Sequence, residues 1–224
     1  VSNTVIDGDA DLSLFAYVAM DNDYIYFAYD VEDDVVDVDT TKNSWMRDCP
    51  ELYLGLYDWH GDSHTSLEKG TEPDIHFRFN SNQIIVDNWG GKVLSRPTSD
   101  DYYWENKFPT GYVVEGRISF DSLAAEDGIE GRFQPVVGMR LPFDIEVNDN
   151  DEPSNPDRQG QLTYSKNNDG LSYGDVSRWT YTWIGDQMVG VEENSMTINT
   201  YELGQNYPNP FNPSTVINYS LANS

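Results

Sequence analysis

Two-residue periodicity runs through most of this chain. "YIYFAYDV" sets Ile25, Phe27 and Tyr29 against Tyr24, Tyr26 and Ala28. "PELYLGLYD" puts Leu52, Leu54 and Leu56 on one face, and "DIHFRFN" opposes Ile75, Phe77 and Phe79 to His76 and Arg78. "QIIVDNW", "GYVVEGRISF" and "MRLPFDIEVND" continue the pattern. Alternation rich in β-branched and aromatic residues reads as half-buried strands. Clusters of Gly, Asn, Asp and Pro separate them, as turns would. Only "DSLAAEDG" reads as helix, with Asp121 as N-cap and Gly128 as the stop. The expected fold is all-β, an antiparallel, jelly-roll-like β-sandwich with one short helix.

Charge narrows the partners. Asp and Glu number 39 against 13 Lys and Arg, a formal charge of −26. Such a chain repels phosphate backbones and anionic headgroups, so no nucleic-acid partner is expected. No apolar run approaches the ~20 residues of a membrane helix. Aromatics make up 13% of the residues, which argues for a folded chain rather than an acidic tail. Cys49 is the single cysteine, which excludes an intrachain disulfide framework and a four-cysteine zinc site. The first residue, Val1, suits a chain whose signal peptide has been removed, and the acidity suits an extracellular setting. The strand pattern fades after about residue 191. Residues 1–192 therefore read as the sandwich, 193–202 as a linker and 203–224 as a separate Pro- and Asn-rich segment.

The order of motifs resembles carbohydrate-binding module family 9. The residues that carry the likeness are "VIDG", "AMDNDYIYFAYDVEDD", "WMRDCPELYLGLYD" with Trp45, Asp48 and Glu51, "IHFRFN" with Arg78, "GYVVEGRISFDSL", "FDIEVNDND" and "SRWTYTWIGDQMVG". The resemblance implies a non-catalytic module that binds oligosaccharide or polysaccharide. Carried over by position, Trp45 and Trp179 would clamp the sugar, with Trp183 a rival for the second place. Glu51, Arg78 and Glu146 would hydrogen-bond the hydroxyls. The chemistry suits the ligand, because indole faces stack on the C–H faces of a sugar and an acid beside a guanidinium offers paired acceptors and donors. The interval Asp9–Met20 is shorter than in the family, which implies a missing strand and an exposed sheet edge. The tail "LGQNYPNPFNPSTVINYSL" resembles the start of the C-terminal sorting domain of type IX secretion, which implies export.

Acidic loops suggest a structural calcium. Asp7, Asp9 and Asp11 alternate in "DGDAD", Asp30, Asp33 and Asp34 fall in "DVEDD", and Asp149 and Asp151 fall in "NDNDE". Calcium takes six to eight oxygens from such loops. His60 and His64 sit in a Gly-containing loop without the zinc-protease glutamate, so zinc catalysis is not expected. A second reading competes with sugar binding. The chain could be a subunit of an extracellular filament or surface layer, self-assembling as its C-terminal strand fills a neighbour's open edge.

Overall fold

The computed structural model describes residues 6–185, apart from 98, 127, 153, 155 and 156, and the backbone of two short strands beyond them. The chain divides into two compact units, Val1–Asp186 and Gln187–Ser224. In the first unit one sheet runs β1 (Leu12–Met20), β2 (Tyr24–Asp33), β8 (Tyr112–Ser119), β7 (Tyr102–Asn106). The other runs β10 (Gly160–Thr163), β9 (Arg140–Asp149), β3 (Cys49–Gly55), β4 (Asp74–Asn80), β5 (Gln83–Val86), β6 (Lys92–Ser95). A further strand, β11 (Thr180–Trp183), pairs with the first half of β9. All these ladders are antiparallel, and the two sheets form a sandwich. In the second unit β12 (Glu202–Leu203) pairs with β13 (Tyr219–Ser220). The rest of the expected linker and sorting segment lies outside the described residues.

Alternation builds the core as the sequence predicts. Ile25, Phe27, Tyr29 and Val31 of β2 face Leu52 and Leu54 of β3, Ile75, Phe77 and Phe79 of β4, and Leu141, Phe143, Ile145 and Val147 of β9 in one buried cluster. Phe27 stacks on Phe79 across the gap, with centroids 4.1 Å apart. Tyr102 adds a polar tie, its hydroxyl donating to the Asn80 carbonyl at 2.6 Å.

Two local expectations need correction. The short helix is α1 (Phe120–Ala124), and its N-cap is Ser119, whose hydroxyl accepts from the Asp121 amide at 3.2 Å. Asp121 sits in the first turn instead, where a carboxylate complements the helix dipole. The interval Asp9–Met20, short as it is, contains a strand that the periodicity did not show: β1, nine residues that pair with β2 without a bulge and form an edge of the sheet. β1 hides from a periodicity reading because both its faces are apolar. Among the described residues, no helix is long and apolar enough to cross a membrane.

Candidate functional site

The second face of β3, β4 and β9 is polar and yet dry. Glu51, His76, Arg78, Glu146 and Asn148 are all buried. Register makes this cluster inevitable: Glu51 lies opposite Arg78 on one side and Glu146 on the other, and Tyr53 lies opposite His76. Buried polar groups survive only when they are paired.

Glu51 is the hub. Its Oε1 accepts from Arg78 Nε at 3.0 Å and Asn148 Nδ2 at 2.6 Å. Its Oε2 accepts from the Tyr53 hydroxyl at 2.7 Å and sits 2.5 Å from His76 Nε2. All four acceptor positions are thus occupied from within. Burial alone would raise its pKa, but Arg78, His76 and Tyr53 outweigh burial and hold the carboxyl well below its usual range. Burial keeps His76 neutral, lowering its pKa despite Glu51, so Nε2 carries the donated proton. Arg78 also donates to Asp87 at 2.6 Å, and its guanidinium lies 5.4 Å from the Trp45 ring centroid.

Glu146 differs from Glu51. The Tyr53 hydroxyl lies 2.7 Å from Glu146 Oε2 as well as from Glu51 Oε2. One phenolic proton cannot serve two carboxylates. Burial first and the Glu51 charge next push the Glu146 pKa up to about 7, against the lowering effect of the Tyr53 hydrogen bond. In its protonated form Glu146 can donate to the phenol oxygen while Tyr53 donates to Glu51. Its other oxygen, Oε1, is buried and has no hydrogen-bond partner among the described residues.

These groups form the floor of a cleft of about 520 Å³ lined by Trp45, Glu51, Tyr53, Arg78, Asp87, Glu146, Asp157, Arg158, Gly170 and Tyr173. The walls come from loops and short turns. Trp45 sits on the 3-10 turn Ser44–Met46 and is 38% exposed; Tyr173, between β10 and β11, is 57% exposed. The cleft therefore brings together Trp45, Glu51, Arg78 and Glu146 of the five residues expected from the sequence. Trp179 is not among the lining residues. Its ring is 8% exposed, its Nε1 donates to the Ser172 carbonyl at 2.9 Å, and it packs 5.4 Å from Tyr53. Of the expected pair of indoles, Trp45 lines the cleft, whereas Trp179 is buried in a small cluster with Tyr53 and Val176. Trp183 lies elsewhere, on β11 beside Tyr181, with the Arg140 guanidinium 5.8 Å from its ring. Sequence reasoning missed Tyr53, His76, Asn148, Arg158 and Tyr173. The first three share faces with Glu51, Arg78 and Glu146 and follow from parity alone; Tyr173 is on a loop, where no periodicity signals it.

The acidic loops converge at a second place. Asp11, Asp34 and Asp151 bring carboxylate oxygens within 4.8 Å of one another, and so do Asp33, Asp149 and Asp151. Both Asp149 oxygens, one of Asp33 and one of Asp151 are buried without a partner among the described residues. Burial and neighbouring acids raise the pKa of Asp33 to about 8, of Asp149 to about 7 and of Asp151 to about 6. Asp7 and Asp9 are in neither group; the Asp7 amide donates to Asp11 at 2.6 Å. Among the histidines of the 58–73 loop, His60 meets Asp58 at 2.9 Å and His64 meets Asp74 at 2.7 Å, so the pair does not converge on one point.

Comparison with known proteins fits this architecture. A family model described as carbohydrate family 9 binding domain-like matches residues 1–183. A solved carbohydrate binding module family 9 from Caldicellulosiruptor kristjanssonii in complex with glucose is similar, with a TM-score of 0.57, 18% identity and 83% of each chain covered. A second structure of such a module from that organism, in complex with cellotriose, gives a TM-score of 0.56 and 19% identity, covering 83% of this chain and 81% of the other. Among curated proteins, none matches. By the extent of the family match and the sandwich itself, the chain belongs to the carbohydrate family 9 binding domain-like family.

Proposed function

We propose that this protein is a non-catalytic carbohydrate-binding module whose cleft takes a chain end or a short oligosaccharide. One observation carries the reading: a floor of mutually paired acid, guanidinium and phenol lies beneath an exposed indole. Trp45 stacks on the sugar face from one wall and Tyr173 from the other. Arg78, Asp87 and Arg158 offer donors and acceptors to the hydroxyls. Glu146 Oε1 accepts from a hydroxyl. Glu51 has no acceptor left to give, so it orients Arg78 and Tyr53 instead of touching the ligand. Trp179 holds Tyr53 in place. The similar modules named above were solved with glucose and with cellotriose, which guides the choice of ligand.

The test is a tryptophan-fluorescence titration with glucose, cellobiose and xylobiose. Saturable quenching is expected, weakened at least tenfold in Trp45→Ala and Tyr173→Ala with circular dichroism unchanged. A flat response from folded protein to every sugar rejects the reading.

We also propose that calcium binds among Asp11, Asp33, Asp34, Asp149 and Asp151. The unpartnered buried oxygens of Asp149 support it, since buried acceptors without a partner are costly. The hard cation would supply the missing charge and fit an all-oxygen set. Calcium is expected to raise the melting temperature and a chelator to lower it, by several degrees. Asp149→Asn should abolish the difference, and an unchanged melting curve would refute the site. Residues 203–224 support a last element of the proposal, export to the cell exterior. Immunoblots of fractionated cultures should then find the protein on the cell surface or in the medium rather than inside the cell.

A further inference from the structure

Natural sheets protect their open edges with short strands, charges, prolines or bulges. Most edges here obey. β7 is five residues long and carries Glu105; β6 begins with Lys92; β10 and β11 are four residues each. β1 does not. Among the described residues it is an edge strand, nine residues long, LSLFAYVAM, with no charge, no proline and no bulge. Its outward side chains, Phe15 and Tyr17, are 70% and 62% exposed. Such an edge is a template for another strand.

We propose that two copies of this chain pair through β1, edge to edge across a twofold axis. Charge limits where a second copy can approach. Each copy carries −26, so copies repel over most of their surface, and β1 is a long stretch free of charge. The sequence is also self-complementary. An antiparallel pairing centred on Ala16 sets Phe15 opposite Tyr17 of the second copy, twice, and Leu14 opposite Val18. Cross-strand aromatic pairs are among the favourable ones. Two Phe15 and two Tyr17 rings at ~150–250 Å² each can hide up to roughly 600 Å². With the backbone edge added, the contact reaches the ~1,000 Å² scale of a genuine but reversible interface. The joined sheet has eight strands, within the ordinary size range.

Sedimentation velocity on the full chain from about 1 to 500 μM tests this. A concentration-dependent dimer is expected, tightening several-fold as salt rises from about 0.05 to 0.5 M because screening relieves the repulsion. Phe15→Lys/Tyr17→Lys should be monomeric throughout, even though two lysines lower the net charge. Both side chains are mostly exposed, so the fold should survive, which a melting curve checks. Phe108→Lys, at a side chain 98% exposed outside β1, should leave the dimer intact. A wild-type monomer at every concentration overturns the proposal. So does a dimer that survives the double substitution, which would move the contact to another surface, the tail 203–224 included.

Discussion

At the scale of single residues, Glu51 and Glu146 show how position decides ionisation. They face each other across β3 and β9, yet one is surrounded by donors and the other is not. Replacing Glu51 by Ala would leave Arg78 buried with its main partner gone, and is expected to cost about 3–5 kcal/mol in denaturant unfolding. Glu146 gives a pH signature. Its carboxyl titrates at 4.5 when unfolded and at about 7 when folded, so the native state holds a proton the unfolded chain has lost. This raised value favours folding below about 4.5; that advantage is lost as pH rises through about 7. Glu146→Gln should match wild type at pH 5 and exceed it at pH 8, by up to ~3 kcal/mol. Equal stability at both pH values would show that Glu146 is ionised in the native state.

At the scale of strands, legibility tracked how unlike the two faces are. β2, β3, β4 and β9 could be read because each sets an apolar row against a polar one. Glu51, Arg78 and Glu146 were named through the family resemblance, and the register of β3, β4 and β9 is what sets them side by side. Sequence could not say that this side is dry, because burial there comes from loops that fold over it. Nor could it separate Trp45 from Trp179, since both precede strands and only the cleft distinguishes the lining indole from the buried one. β1 escaped for the opposite reason, being apolar on both faces. The joint between sheets rests heavily on Phe27 and Phe79. Phe79→Ala opens a cavity at that contact and should cost about 3–5 kcal/mol, read from a denaturation midpoint shift.

For the molecule as a whole, the surplus of negative charge opposes compaction. Added sodium chloride should therefore raise the calcium-free melting temperature by several degrees, and less so with calcium bound, as calorimetry would register. The division of the cleft into a strand-borne floor and loop-borne walls has a further consequence. Glu51, Tyr53, His76 and Arg78 already restrain one another, so a ligand finds them frozen and little rotamer entropy remains to be lost there. On the proposed function, preference among ligands would then rest with Trp45, Arg158 and Tyr173. Those loops could be exchanged like interchangeable jaws on a fixed vice, retargeting the module while the chassis beneath keeps its shape.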